Sequence, residues 1–287
     1  MVLSIAVPNK GRLSARAIGI LNKVGLGIPE DPGRTLMMSI GKGRYKVLFA
    51  RADDIPEFVE TGVVDLGITG LDIVMETGRD VGLRMPLDFG KCRLVLAAPE
   101  KSEMREPAGV KNGARVATSF PKLTREYFSK LGISVEVVRM TGATESAPQI
   151  GVADLIADIT ETGSTLKMNH LREIGTVLES QAVLIANKKS LDEKAEAIEE
   201  ARSAIASVLN ARRKRYVMAN VPKSALDNLP SLLPGISGPT VMNIIGRDDV
   251  AAVHAVVGDD EVNAIVALLK MSGASGILVL PIERLIP

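Results

Sequence analysis

Short apolar runs of strand length alternate with amphipathic stretches of helix length along most of the chain, which restricts it to α/β architectures with mainly parallel sheets. The opening unit shows the rhythm. Leu3 to Val7 reads as a strand and Pro8 to Gly11 as a turn, after which Leu13, Ala17, Ile20, Leu21 and Val24 recur at helical spacing up to Gly25. Further strands are expected at Thr35 to Ile40, Lys46 to Ala50, Val64 to Ile68, Arg93 to Ala98, Arg115 to Thr118, Val135 to Met140, Asp154 to Ile159 and Ala182 to Ala186. Gly62-Val-Val-Asp-Leu66 recurs as Gly151-Val-Ala-Asp-Leu155, and each copy leads to a polar glycine turn, Thr69-Gly70 or Thr162-Gly163. Two lobes of similar build follow, with both turns facing a shared cleft beyond the carboxyl ends of the strands.

A long helix is expected from Leu191 to about Arg215, its basic end suiting the negative pole of the helix dipole and its length marking a boundary. Beyond it the pattern restarts: strand Tyr216 to Val221, helix Ser224 to Leu233, strand Thr240 to Ile245, strand Ala251 to Val257, helix Asp260 to Met271, strand Gly276 to Leu280. That βαββαβ order is ferredoxin-like and predicts a compact third domain.

Composition narrows the function classes. The 287 residues carry 35 Lys and Arg against 34 Asp and Glu, so no overall field holds a polyanion or an anionic bilayer. Aromatic residues make up 3% of the chain, too few for a base-stacking platform, so nucleic acid is not an expected partner. The single cysteine, Cys92, can form neither an internal disulfide nor a cysteine metal cage and points to a reducing compartment, the cytoplasm. Asn228 to Gly246 is uncharged but broken by Pro230, Pro234 and Pro239, and no membrane segment is expected.

Four segments could carry chemistry. In Asp158-Ile-Thr-Glu-Thr162-Gly-Ser-Thr165, a turn joins an apolar strand to a helix containing Leu166, Met168 and Leu171. Consecutive N–H groups, hydroxyls and a helix N-terminus would converge there on a phosphate, with Asp158 free for ribose hydroxyls or a hydrated Mg²⁺. The same residues would equally serve an ordinary capped helix. Pro8-Asn-Lys10-Gly-Arg12 is a second strand-to-helix turn, and with Arg16 it offers cations for a pyrophosphate or triphosphate, or simply a solvated basic surface. Arg51 ends a strand, where a cleft residue is expected. Asp72 is a candidate carboxylate for metal or ribose, or a helix cap. Glu145 starts a helix and His170 and His254 lack metal-ligand spacing.

Glu145, Gly151, Ala153, Ile156, Asp158, Ile159, Thr162, Gly163, Thr165 and Leu166 match the spacing of the signature of ATP phosphoribosyltransferases, which catalyse the first step of histidine biosynthesis. Pro8-Asn-Lys-Gly-Arg-Leu13, Asp65-Leu-Gly-Ile-Thr-Gly-Leu-Asp72 and Gly90-Lys-Cys-Arg-Leu94 also resemble that family's segments, in order. The resemblance implies two periplasmic-binding-protein-like catalytic lobes, residues 1–91 with 180–213 and residues 92–179, and a regulatory histidine-binding domain at 214–287. It implies ATP and phosphoribosyl pyrophosphate as substrates, Mg²⁺, feedback inhibition by histidine, and homo-oligomers built from dimers into hexamers. Carried onto this chain, Thr162, Gly163, Ser164 and Thr165 would hold the 5-phosphate with the backbone of Glu161, while Asp154 and Asp158 would lie by the ribose. Lys10, Arg12, Arg16, Arg51 and Asp72 would line the ATP and pyrophosphate region. Lys10, Arg51, Asp72, Glu145 and Asp158 would be catalytic, Asp72 and Asp158 would be metal ligands, and Asn220, Ile236, Thr240 and Ser275 would contact histidine. A solute-binding module, or an amino-acid-sensing protein without catalysis, is the alternative.

Overall fold

A computed structural model describes residues 2–29, 33, 35–228, 233, 235–236 and 238–286. They form two compact units, Met1–Glu199 and Glu200–Pro287. The first unit holds two sheets. One is ordered β2-β3-β1-β4-β11-β5, from β1 (Leu3–Pro8), β2 (Met37–Ile40), β3 (Tyr45–Ala50), β4 (Leu66–Gly70), β5 (Gly82–Pro86) and β11 (Ala182–Ala186). The other is ordered β10-β6-β9-β7-β8, from β6 (Cys92–Pro99), β7 (Arg115–Thr118), β8 (Glu136–Arg139), β9 (Leu155–Thr160) and β10 (Leu171–Ser180). The chain therefore crosses between sheets after β5 and returns after β10.

Parallel pairing is confined to β3-β1-β4 in one sheet and β9-β7-β8 in the other; β2, β6, β10 and β11 run antiparallel. The sheets are thus mixed where mainly parallel ones were expected. The continuous apolar run of β6 explains why its strand was legible: Leu94, Leu96 and Ala98 enter one core with Val116, Leu155 and Phe128, whereas Val95 and Ala97 enter another with Ala117, Ile156 and Leu166. Helices α1 (Ser14–Lys23), α2 (Ile55–Glu60) and α3 (Leu71–Thr77) follow β1, β3 and β4, and α4 (Pro121–Lys130) follows β7.

Several expected elements differ. Leu171 opens β10 instead of continuing a helix, because α5 (Ser164–Met168) stops after five residues. Thr69-Gly70 is not a turn: Thr69 is buried inside β4, its hydroxyl donating to the Ala52 carbonyl at 2.8 Å. Glu145 sits in a single 3-10 turn, Thr144–Ser146. The long helix is broken into α6 (Lys188–Glu193) and α7 (Ala195–Ala211), and Lys214 and Arg215 already belong to β12 (Lys214–Pro222).

The second unit carries β12, β13 (Thr240–Ile244), β14 (Arg247–Gly258), α8 (Val262–Met271) and β15 (Ser275–Pro281). All pairs are antiparallel in the order β13-β14-β12-β15, the ferredoxin-like arrangement. Of the helix expected at Ser224 to Leu233, residues 223–228 form 3-10 turns and 229–232 lie outside the described residues. Val217, Ala219, Val221, Val253 and Val257 pack under Ile265 and Leu269 of α8.

Candidate active site

Strand direction gathers the first set of residues. β1, β3 and β4 are parallel, so their carboxyl ends share one edge, and Pro8 lies opposite Ala50 in register. Lys10, Arg12 and Arg51 leave that edge exposed, Arg16 extends the basic strip one turn into α1, and Asp72 occupies the first turn of α3. Asp72 is only 2% exposed. Its Oδ1 accepts the Ser180 hydroxyl at 2.6 Å, while Oδ2 faces Arg12 Nη2 at 3.6 Å. Arg12 Nη1 donates to the Gly90 carbonyl at 2.7 Å.

The second set comes from the carboxyl ends of β7, β8 and β9. Beyond β9 the chain turns through Glu161, Thr162 and Gly163 into α5. Gly163 has φ +79°, with nothing within 4 Å of where a Cβ would stand, so glycine is required by backbone conformation alone. The Gly163 N–H donates to Thr160 Oγ1 at 2.8 Å, and the Thr162 hydroxyl donates to Ser164 Oγ at 3.1 Å. Among the described residues nothing accepts the N–H groups of Thr162 and Thr165, leaving donors for a ligand. With α5 so short, those amides and hydroxyls, more than a helix dipole, would attract an anion.

Asp158 lies on β9 just before this turn. Burial pushes its carboxyl above the ordinary aspartate range, the Ile159 N–H bond at 2.8 Å opposes that, and the charge of Glu145 adds to the rise. Two carboxylates expected as functional are thus close enough to feel each other's charge. Asp154 does not join them. It precedes β9, at the far end of the strand from the turn, and binds the Arg115 N–H at 2.8 Å and guanidinium at 3.0 Å. Strand direction sets it apart from Asp158 and the turn.

The two edges meet at Arg12 and Glu161, whose Nη1 and Oε1 are 4.0 Å apart. Beside them lies a cavity of about 510 Å³ lined by Leu71, Lys91, Cys92, Glu161, Ser180 and Gln181 among others. Ser180 and Gln181 escaped the sequence reading because the residues they meet, Cys92 of β6 for Ser180 and Asp72 and Leu71 of α3, are far away in the chain. The Gly90-Lys-Cys-Arg-Leu94 segment marked only half of the crossing. Cys92 is buried, and burial, with the Asp72 charge, pushes its thiol up.

In the second unit, Asn220 and Ser275 are register partners on β12 and β15. Thr240 pairs with His254, two strands away from Asn220, and Ile236 is exposed. Of the four expected histidine contacts, Asn220 and Ser275 are thus sheet neighbours. His254 stacks on Tyr216, ring centroids 5.2 Å apart. Among the described residues no helix is long and apolar enough to cross a membrane.

Residues 51–207 match the family HisG, ATP phosphoribosyltransferase, and residues 211–284 match the HisG C-terminal domain. The chain is 49% identical over 287 residues to the ATP phosphoribosyltransferase of Methanothermobacter thermautotrophicus, covering 100% of both chains. It is 47% identical over 289 residues to that of Methanocaldococcus jannaschii, covering 99% of this chain and 100% of the relative. Among solved structures, the ATP phosphoribosyl transferase (HisG:HisZ) complex from Thermotoga maritima superposes with a TM-score of 0.65 at 27% identity, covering 73% of this chain and 99% of that one. Tv2483 bound to L-arginine shares the fold alone, at a TM-score of 0.50 and 14% identity over 73% of this chain and 85% of that one. Signature, site and full-length similarity together place the chain in the ATP phosphoribosyltransferase family, the pentosyltransferases that open histidine biosynthesis.

Proposed function

We propose that the chain transfers the phosphoribosyl group of phosphoribosyl pyrophosphate to N1 of ATP with inversion at the ribose C1, releasing pyrophosphate, at the cleft between the two sheets of the first unit. The observation that carries this reading is the 4.0 Å approach of Arg12 to Glu161, which sets the cationic turn after β1 against the turn after β9. The amides and hydroxyls of Thr162 to Thr165 receive the 5-phosphate. Lys10, Arg12, Arg16 and Arg51 take the ATP phosphates and the departing pyrophosphate, with the Gly90 carbonyl holding Arg12 and Asp72 facing it. Asp158, with Glu145 beside it, stabilises the sugar as positive charge develops at C1. No protein nucleophile is needed for a direct displacement at C1.

A divalent cation fits the same carboxylates. Mg²⁺ is commonly held by one or two carboxylates and completed by substrate oxygens and water. Asp158 and Glu145 would hold it, relieving their mutual repulsion; Asp72, already bonded by Ser180 and faced by Arg12, is the weaker ligand. When bound, the ion neutralises charge on the diphosphate. We extend the reading to catalytic lobes at 1–91 with 180–213 and at 92–179, a histidine-binding regulatory domain at 214–287, assembly into dimers and hexamers, and a cytoplasmic location.

Thr162→Val tests the turn. It should weaken phosphoribosyl pyrophosphate binding by about tenfold, the effect of one charge-assisted hydrogen bond, and leave ATP binding unchanged in calorimetric titration. Indifference to both ligands would remove the turn from the site.

A further inference from the structure

Where the chain crosses between the sheets of the first unit, a buried hydroxyl is aimed at a carboxylate of the cleft. Ser180 closes β10 opposite Cys92, the first residue of β6, is 6% exposed and lines the cavity. Its Oγ accepts the Asp72 N–H at 2.9 Å and donates to Asp72 Oδ1 at 2.6 Å. The neighbouring Leu71 N–H bonds the Gln181 carbonyl at 2.9 Å, so the first turn of α3 is fixed to this crossing at two successive residues.

The terminal torsion of an aspartate is broad when nothing restrains it. Here one oxygen is held, and the other meets Arg12 Nη2 only at 3.6 Å, short of a hydrogen bond. The Ser180 bond fixes the plane of the carboxylate, and in that orientation Arg12 approaches Oδ2 alone, without the two parallel bonds of a forked pair. Arg12, bonded to the Gly90 carbonyl and close to the Cys92 thiol and Glu161, is thereby left at the cleft without a forked carboxylate partner, where a ligand's phosphate oxygens can engage it.

We infer that Ser180 is a positioning residue: its hydroxyl orients Asp72 so that Arg12 is presented to an anionic nucleotide instead of being neutralised in a fork with Asp72. The inference rests on the proposed reaction and on Arg12 as an ATP contact. It predicts that Ser180→Ala, in the full-length enzyme, raises the KM for ATP about tenfold while kcat and the KM for phosphoribosyl pyrophosphate move less than about twofold. Ser180→Thr, which keeps the hydroxyl, restores the wild-type KM. In an Arg12→Ala background, adding Ser180→Ala raises the KM no further, because the two act through one contact.

Equal rises in both KM values, or an additive effect in the Arg12→Ala background, would confine Ser180 to folding and overturn the inference. Should Ser180→Ala fail to fold, Ser180→Cys, a weak donor, is measured in its place: an intermediate KM for ATP supports the role and a wild-type KM overturns it. A wild-type enzyme that forms no adduct overturns the proposed reaction and the inference together. An active wild type with an unchanged Ser180→Ala variant overturns the inference alone.

Discussion

Asp158 and Asp154 stand on the same strand, yet their surroundings set them to different work. Folding raises the Asp158 pKa, chiefly by burial, so the folded state binds its proton more tightly than the unfolded chain does. Stability therefore declines as pH rises from the ordinary aspartate range through the folded value, and at neutral pH the carboxylate is a net destabiliser. Asp158→Asn should lower turnover about tenfold or more while the melting temperature holds or rises, and parallel loss of both would make the residue structural. Asp154 is the opposite case: the Arg115 N–H and then its guanidinium hold its carboxyl below the ordinary range. The internal repeat explains why. Asp65, its counterpart, accepts the Ser4 N–H at 2.8 Å and returns its own N–H to the Ser4 carbonyl at 3.1 Å, just as Asp154 exchanges bonds with Arg115. Burial works against the charge of Asp65, but Lys194, the Ser4 N–H and the Ser190 and Ser4 hydroxyls outweigh it. What the repeat records is a clamp at the start of a parallel strand, not a ligand pair. Asp65→Asn should cost about 1–3 kcal/mol in urea unfolding with turnover per folded molecule unchanged. The contribution of Asp65 is present above the ordinary aspartate range and fades as pH falls through its lower folded value, so the difference from wild type should shrink in acid.

At the scale of elements, legibility followed how local the deciding contacts are. The strand–turn–helix around Thr162 was readable because its glycine and hydroxyls act within a few residues. β10 was not, because its polar residues are satisfied across the sheet: Glu173 takes a two-pronged bond from Arg93 of β6, and register slips at Glu173/Gly175 and Thr176/Leu178 break its alternation. The break between α6 and α7 has a similar cause, since Lys194 at the junction turns to Asp65 Oδ2 at 2.8 Å and the Val2 carbonyl at 3.2 Å. One helix start depends on a distant element. No side chain within α4 caps it; Glu76, on α3 below the other sheet, accepts the Lys122 and Leu123 N–H groups at 2.9 and 3.0 Å. Met75 packs into the core around Phe128, and Lys122 Nζ reaches the Met75 carbonyl at 3.0 Å. Glu76→Ala should lower stability by about 1 kcal/mol, as loss of a helix cap does, and should increase hydrogen exchange at the start of α4 before other segments. Uniform exchange across the first unit would contradict that capping role.

For the whole molecule, the sequence pattern disclosed two α/β lobes and a ferredoxin-like unit, because alternating periods of burial are written residue by residue. It could not show the antiparallel strands that knit each crossing, nor that Ser180 would meet Asp72, since those pairings are fixed only when both sheets form. Regulation belongs to this scale. The proposed regulatory domain would inhibit only if histidine bound two states of the enzyme differently, so on that proposal deleting residues 216–287 should leave basal activity and abolish inhibition, measured as initial rate against histidine concentration. Inhibition that survives the deletion would place the effector elsewhere. The central claim, that a phosphoribosyl group passes to the adenine of ATP, is tested by mixing the full chain with ATP, phosphoribosyl pyrophosphate and Mg²⁺ and following ultraviolet absorbance alongside released pyrophosphate. The two signals should rise together in equal amounts and stop when either substrate is omitted. Pyrophosphate appearing without the absorbing adduct, or neither appearing with both substrates bound, would contradict it.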